Sequence, residues 1–228
     1  MMSSAAARRE RDSEAAQLAI LDAAEVAFAE NGFDGARIDA IAAGSGYNKS
    51  LIFHYFGDKL GLYAEVIRRA DIEMTALQVR VLAPLLADET IATHARAFKA
   101  LLEKIAGILF DYLVEHPRFM RMLVWEQAEN WQTYAKIIAQ FTEDTEPLET
   151  LFHRARSAGL LRSDFVPLIQ LTMILQACLS YLTFIPLYQM VIQPGEDLFS
   201  AAALARAREY IVDFVVHGMM IDLPETEP

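Results

Sequence analysis

The chain has 228 residues, 54% of them hydrophobic, which is ample for a packed core and argues against a largely disordered protein. A single cysteine, Cys178, excludes an intrachain disulfide framework and indicates a reducing, cytoplasmic environment. The net charge of −11 argues against nucleic acid only at first sight, because residues 1–70 hold 8 Lys/Arg and 10 Asp/Glu (−2), whereas residues 71–228 hold 12 and 21 (−9).

The first twelve residues are predicted to form a flexible basic arm. Its basic residues are Arg8, Arg9 and Arg11. Such an arm can enter the minor groove of DNA or can be a solubilising tail, and the sequence leaves both interpretations open. A helix is then predicted from about Ser13, as its N-cap, to Glu30, and Asn31 and Gly32 are expected to end it in a left-handed C-cap.

The segment from Ile38 to Phe56 contains two short helical patterns separated by a glycine-marked turn. The first pattern has apolar residues at i, i+3 and i+4, which predicts one buried stripe. Gly44 and Gly46 allow the positive φ that a tight turn needs, and Asn48 is predicted to cap the second helix. This is the layout of a helix-turn-helix, whose second helix enters the major groove of DNA.

The second helix of this motif is predicted to have an inward and an outward face. Ile52 and Phe56, four residues apart, are expected to pin it onto the first helix. The outward side chains are then those of Lys49, Ser50, Phe53 and His54. Phe53 and His54 suit contacts to base edges, whereas Lys49 suits either a guanine or a phosphate.

Beyond this motif, Asp58 is predicted to cap a fourth helix, and every later periodic segment is helical in pattern. No strand-type alternation is visible, so the predicted fold class is all-α. We expect a three-helix helix-turn-helix domain over residues 13–60 and a helical domain over residues 61–228. Two long helices, about 167–191 and 197–220, are predicted to close the chain.

A long uncharged stretch runs from Phe165 to Gly195 and is long enough to span a bilayer. Its four glutamines, and prolines near both ends, argue against a membrane span. A helix that is apolar all round is also expected where one side is buried by its own domain and the other by a twin subunit. We therefore expect a buried helix and no membrane partner.

The run from Ala29 to Ile67 resembles the DNA-binding domain of the TetR (tetracycline-repressor-like) family of transcriptional regulators. The matching pieces, at the family's usual spacing, are NGF at 31–33, IA at 41–42, HYF at 54–56, and Lys59 followed by Leu62. The resemblance implies a homodimeric repressor, paired through its last two helices, that binds a near-palindromic double-stranded operator. It further implies release of that operator when a small-molecule effector binds the C-terminal domain.

The resemblance also implies roles for single residues in DNA binding. Tyr55 and Lys59 match family positions that usually bind phosphate, and Asn48 can do the same while it caps its helix. Arg37 is long enough to reach a phosphate, although a solvated surface position is equally consistent with the sequence. The residues predicted to contact DNA are Arg37, Asn48, Lys49, Ser50, Phe53, His54, Tyr55 and Lys59.

An effector cavity in the C-terminal domain, also implied by the resemblance, needs apolar walls with a few polar groups. The residues predicted to line it are Phe110, Met122, Trp125, Gln127, Gln176, Cys178 and Tyr181. Most other aromatic and methionine side chains there are expected to be ordinary core. Because no basic residue lies between Phe165 and Gly195, we expect a neutral, lipophilic or cationic aromatic effector.

Other function classes find little support in the sequence. It contains no nucleophile elbow, no glycine-rich phosphate loop and no Cys/His arrangement, which argues against an enzyme. No paired His/carboxylate set recurs on one helix, so neither a metal nor another cofactor is expected. Two alternatives stay open: a helical ligand-binding or scaffold protein that does not bind DNA, and a membrane-associated protein that uses residues 165–192.

Overall fold

The computed structural model describes residues 2–86, 88, 90–137, 146–162, 166–191 and 195–221. The first residue of the predicted arm and the last seven of the predicted second domain lie outside the described residues. Across the described ranges the chain is helical, apart from turns and one antiparallel bridge between Leu161 and Met220. The helices are α1 (Met2–Gly35), α2 (Ile38–Ser45), α3 (Lys49–Phe56), α4 (Lys59–Leu86), α5 (Ala95–Glu115), α6 (Pro117–Ala128), α7 (Tyr134–Ile137), α8 (Glu146–Ser157), α9 (Pro167–Val191) and α10 (Ala201–Met219).

The helices group into two compact units. The N-terminal unit comprises Met1–Glu73 and His116–Thr142, and the C-terminal unit comprises Met74–Glu115 and Glu143–Pro228. The predicted boundary after residue 60 therefore differs from the observed division, because α6 and α7 belong with the N-terminal helices. The physical reason is that α6 packs directly against α1.

Helix α1 begins at Met2, so the predicted start at Ser13 is wrong, and residues 2–12, which were predicted as a flexible basic arm, are helical. This segment is rich in alanine and arginine, which are strong helix formers. The helix is interrupted where its C-cap was predicted, since Gly32 has φ +69° and ψ 179°, and helical turns then resume as far as Gly35.

The core of the N-terminal unit joins α1 to α4 with side chains from α6 and α7. Phe28 and Tyr63 meet edge to face with ring centroids 4.9 Å apart, and Phe33 packs on both rings. Each of the other four helices in this part contributes at least one fully or almost fully buried side chain. These side chains are Ile41 of α2, Ile52 of α3, Met122 of α6 and Ile137 of α7.

In the C-terminal unit α5 packs against α9 and α10. Nε of Arg208 on α10 donates to Oδ1 of Asp111 on α5 at 2.7 Å. The Arg208 guanidinium lies directly over Gly107, where any Cβ atom would collide with it. Glycine at this position therefore lets the charged group cross the surface of α5 and reach its carboxylate.

The last two helices leave large apolar side chains exposed. On α9 five of these residues are spaced by three, four and eleven positions, which brings them to one face of a helix. They are Ile169, Met173, Phe184, Leu187 and Val191. On α10 the rings of Tyr210 and Phe214 stack with centroids 6.3 Å apart and are 70% and 64% exposed. We call these seven residues the apolar face of α9 and α10.

Candidate DNA-binding surface

The turn between α2 and α3 forms at Gly46, as the sequence predicts, whereas Gly44, which was also predicted for the turn, lies inside α2. Gly46 follows α2 with φ +76°, and its N–H donates to the carbonyl of Ala42 at 3.1 Å. Asn48 then caps α3, since its Oδ1 accepts a 2.9 Å hydrogen bond from the backbone N–H of Leu51. The predicted N-cap is therefore confirmed, and the side-chain oxygen of Asn48 satisfies a backbone donor that the helix itself cannot.

Helix α3 has the two faces that its spacing predicts. Ile52 is fully buried and Phe56 is partly buried against the core, so they hold the helix on the three-helix unit. Lys49, Ser50, Phe53 and His54 are all exposed. Phe53 is 42% exposed, which is unusual for a large aromatic side chain without a partner surface. The outward face thus combines a cation, a hydroxyl, an imidazole and an apolar ring.

Tyr55 lies on the flank of α3 that faces α1. Its hydroxyl oxygen accepts a 3.0 Å hydrogen bond from Oγ of Ser13, and both residues are partly buried. A phenol both accepts and donates, so this bond leaves the phenolic proton available to an external acceptor such as a phosphate oxygen. Ser13, predicted only as a helix cap, therefore orients a residue of the candidate site.

Lys59 opens α4 and is held against the N-terminal unit. Its Nζ donates to the carbonyl of Asp34 at 3.2 Å and lies 4.8 Å from the centroid of the Phe33 ring. Asp58 caps the helix as predicted, because its Oδ1 accepts from the N–H of Gly61 at 2.7 Å. The free backbone N–H groups at the start of a helix attract anions. At the start of α4 the N–H of Gly61 already has an acceptor, so the positive charge there comes from Lys59.

The two remaining cations of the predicted site differ in their surroundings. Nζ of Lys49 lies 2.5 Å from Oδ1 of Asp39, but both side chains are at least half exposed, so this ion pair contributes little stability. Arg37 occupies the N-cap position of α2 without capping it through its side chain, and it is exposed. Both cations can therefore turn toward an external anion at small cost.

Three of the predicted effector residues lie on α6 and belong to the N-terminal unit. Met122 is buried in the core of that unit, and Gln127 is partly buried. Trp125 donates from its indole Nε1–H to the carbonyl of Ala29 at 3.2 Å, and its ring lies against Gly32. The structure thus places these residues outside the second domain for which they were predicted, because α6 packs on α1.

The other four predicted effector residues lie in the C-terminal unit, at different degrees of burial. Phe110 and Cys178 are almost fully buried, Tyr181 is partly buried, and Gln176 is exposed on α9. Burial, with a smaller contribution from the nearby carboxylate of Asp111, raises the pKa of the Cys178 thiol to about 12. A thiol in that environment is a small apolar group that stays protonated near neutral pH.

Each unit contains a surface cleft. The cleft of the C-terminal unit has a volume of about 510 Å³. Its lining residues are Arg162, Tyr210, Asp213, Phe214, His217 and Gly218. The cleft of the N-terminal unit, about 390 Å³, lies between α1, α4 and α6 and includes Met122. Of the seven predicted effector residues, Met122 lines one of these two clefts and the other six line neither. The predicted effector site therefore remains a prediction.

Two family models match the chain. Residues 20–66 match the bacterial regulatory proteins of the tetR family, and residues 99–215 match the tetracycline-repressor-like C-terminal domain. The chain belongs to the TetR family. Membership confirms the predicted resemblance, the all-α fold class and the predicted function of a ligand-responsive, DNA-binding transcriptional regulator. Regulators of this family bind DNA operators and small-molecule effectors and are usually dimers.

Two curated relatives are transcriptional repressors. The chain is 29% identical over 198 residues to the HTH-type transcriptional repressor SCO4008 of Streptomyces coelicolor, an alignment that covers 82% of this chain and 88% of the relative. It is 28% identical over 165 residues to the HTH-type transcriptional repressor NicS of Pseudomonas putida, covering 71% and 73% of the two chains.

Solved structures share the fold of this TetR-family chain. The transcriptional regulator SCO4942 of Streptomyces coelicolor has a TM-score of 0.57 and 28% identity, covering 89% of this chain and 97% of the other. The regulator FadR of Bacillus subtilis, solved in complex with stearoyl-CoA, has a TM-score of 0.58 and 18% identity, covering 88% and 98%. At 18% identity the likeness to FadR concerns the fold alone.

Proposed function

We propose that this regulator is a homodimeric repressor in which α3 of each subunit enters the major groove of a near-palindromic operator. Binding of a small effector by the C-terminal unit then causes release of the operator. The observation that supports this proposal best is the outward face of α3. Four side chains able to contact DNA are exposed there, while Ile52 on the opposite face is fully buried.

The side chains on that outward face match the chemistry of base edges. The exposed ring of Phe53 suits the methyl group of thymine, and His54 can donate or accept a hydrogen bond at a base edge. Lys49 can donate to O6 and N7 of guanine once it leaves Asp39. Ser50 can serve either a base or a phosphate. Sequence preference would therefore arise from this face.

Residues around α3 supply the phosphate contacts in this proposal. Tyr55 keeps its phenolic proton available while Ser13 orients its oxygen. Lys59 lies at the start of α4, Arg37 at the start of α2, and Asn48 at the start of α3. Contacts of this type fix the register of a protein on the duplex and carry no sequence information.

Dimerisation is supported by the apolar face of α9 and α10. Large apolar side chains that recur along one face of two neighbouring helices are typical of a protein interface. The stretch Ile169–Val191 is also long and apolar enough, by length and composition, to cross a bilayer. Core and interface helices meet the same criterion, and a cytoplasmic regulator needs this face for its twin subunit rather than for a membrane.

The effector is proposed to be neutral and lipophilic, or cationic and aromatic. Ligand sites need apolar walls with a few orienting polar groups, and α9 offers apolar side chains without a basic residue. Such a ligand alters operator affinity only if it binds one conformation of the dimer more tightly than the other. Release then follows from a change in the spacing of the two α3 helices.

Selection of duplexes from a random pool by the purified protein tests DNA binding directly. We expect a near-palindromic sequence, bound with an affinity that falls as salt is raised. Phe53→Ala should weaken binding of the selected duplex, whereas Ile72→Ala, which truncates another half-exposed apolar residue of the N-terminal unit, should not. A protein that selects no duplex would instead be the helical ligand-binding or scaffold protein of the alternative interpretation.

Sedimentation velocity tests the proposed dimer. We expect the wild-type protein to sediment as a dimer and Phe214→Glu to shift it toward the monomer, because a charge would be buried in the interface. Leu18→Glu is the matched control, since Leu18 on α1 is 55% exposed and belongs to the N-terminal unit rather than to the apolar face of α9 and α10. Equal sedimentation of both variants and the wild type would count against that interface.

A thermal-shift screen tests the proposed effector class. We expect lipophilic or cationic aromatic compounds to raise the melting temperature, since a ligand that binds only the folded state stabilises it. The same compounds should lower the affinity for the selected duplex in anisotropy titrations. Stabilisation by acidic metabolites alone would contradict the proposed effector class and would leave DNA binding untouched.

A further inference from the structure

The helical extension of α1 starts beside α3. Residues 2–12 continue α1 toward the N-terminus without a break, directly ahead of Ser13. Oγ of Ser13 is hydrogen-bonded to the hydroxyl of Tyr55 on α3 at 3.0 Å. The position of the extension is therefore fixed at its base by a contact to the flank of the helix that carries the candidate DNA-binding face.

Arg9 is the arginine of this extension that shares the face of Ser13. An α-helix turns by about 100° and rises by about 1.5 Å per residue, so Arg9 lies about 40° from Ser13 and about 6 Å ahead of it. By the same geometry Arg8 lies about 140° and Arg11 about 160° from Ser13. Arg9 thus extends the surface on which Ser13 meets Tyr55, and the other two arginines lie on the far side.

Arg9 also differs from the other two arginines in its partners. It is exposed, and within the part of the chain that the structure describes it has no ion-pair or hydrogen-bond partner. Nε of Arg8, in contrast, lies 4.0 Å from Oδ2 of Asp12, and Arg11 takes part in an interaction within the chain. The full charge of Arg9 is therefore available to an external anion.

We propose that Arg9 binds a backbone phosphate of the operator beside the groove that holds α3. This inference rests on the proposed function, because it places α3 in the major groove. A helix with its side chains is about 10–12 Å across, whereas the minor groove is about 6 Å wide, so the extension meets the duplex from outside. The group it meets there is phosphate, which a guanidinium binds through two parallel hydrogen bonds.

The consequence is a longer operator footprint. Two copies of Arg9 in a dimer add phosphate contacts outside the base pairs that the α3 helices read. These contacts strengthen binding without changing the preferred sequence, because phosphates carry no base identity. They also require duplex on both flanks of the recognised bases.

Anisotropy titrations with the full-length protein and the selected duplex test this inference. One duplex carries the selected base pairs alone, and a second adds one helical turn at each end. The variants are Arg9→Gln and Arg9→Lys, with Arg8→Gln as the matched control because it removes the same charge from the other face. Glutamine is a good helix former, so circular dichroism should show the same helix content in each variant.

On the longer duplex Arg9→Gln should weaken binding on the order of tenfold, since two charge-assisted phosphate contacts are lost. The slope of log affinity against log salt should fall by about 0.9 per phosphate, or about 1.8 per dimer. Arg9→Lys should retain most of the affinity, and Arg8→Gln should match the wild type. On the shorter duplex all four proteins should bind alike.

Equal losses for Arg9→Gln and Arg8→Gln on the longer duplex, or no loss for either, would overturn the role of Arg9. Wild-type binding of the operator would leave the proposed function standing in that case. A wild-type protein that selects no duplex would overturn the proposed function and the role of Arg9 together.

Discussion

The hydroxyl of Tyr63 on α4 donates a 2.6 Å hydrogen bond to Oε1 of Glu126 on α6, across 63 positions of the chain. Both side chains are 1% exposed. The other carboxylate oxygen of Glu126 accepts from the backbone N–H of Tyr134 at 3.0 Å. Burial, and next the bond to Glu126, raises the pKa of the Tyr63 phenol above its usual range, so it remains a donor at any pH at which the protein is handled. This contact attaches α6 to the N-terminal unit.

Tyr63→Phe should destabilise the N-terminal unit by about 1–3 kcal/mol, because it leaves one oxygen of a buried carboxylate without its donor. Urea unfolding monitored by tryptophan fluorescence measures this, since both tryptophans, Trp125 and Trp131, lie in that unit. Tyr47→Phe is the control, because it removes the hydroxyl of a partly buried tyrosine in the same unit. Equal midpoints for Tyr63→Phe and the wild type would show that the bond adds no net stability.

The sequence predicted those parts of the candidate site whose partners are close in the chain. Asn48 caps a donor three residues away, and Asp58 does the same for Gly61. The division of α3 into a buried and an exposed face follows from the 3.6-residue period, so Ile52 and Phe53 were assigned correctly. Short-range geometry of this kind is fixed by backbone sterics and needs no knowledge of the rest of the fold.

Contacts between distant residues were not predictable from the same patterns. The apolar spacing of α6 shows that one side is buried but not which helix covers it, so Met122 and Trp125 were assigned to the second domain. Glu126 was not singled out at all, because a carboxylate in a helix is usually solvated and its partner is 63 residues away. The available signal was its position four residues after Met122 and three after Leu123, which places it on the apolar side of α6.

Substitution of Asn48 should separate its capping role from DNA binding. Asn48→Ala should cost about 1 kcal/mol of stability, because the N–H of Leu51 loses its acceptor. Asn48→Asp keeps an acceptor in the same place and should leave stability near that of the wild type. It should nevertheless weaken operator binding, since it brings a negative charge toward phosphates. Urea midpoints and anisotropy titrations measure the two effects, and parallel changes in both would contradict the separation.

Lys59 and Lys49 are expected to differ in the kind of DNA contact they make. Lys59→Ala should weaken binding to all duplexes and lower the salt slope by about 0.9 per subunit, as expected for a phosphate contact. Lys49→Ala should relax the preference at one position of each half-site, because its side chain lies on the outward face of α3. Binding to a panel of single-base operator variants distinguishes them. If Lys49→Ala left the base preference unchanged, Lys49 would contact phosphate rather than a base.

Cys178 should be protected from alkylation in the folded protein. It is fully buried, and burial raises the pKa of its thiol to about 12, so thiolate is scarce at pH 8. Iodoacetamide should therefore react slowly with the native protein and quickly in urea, and rapid labelling of the native protein would contradict the burial.

The raised pKa of Cys178 also means that, above about pH 9, the folded state keeps the thiol proton while the unfolded state loses it. The stability that the buried, protonated thiol of Cys178 contributes should therefore be complete below about pH 9 and should be lost as the pH rises toward about 12. Cys178→Ala is the control, since its stability should fall less over that range than that of the wild type.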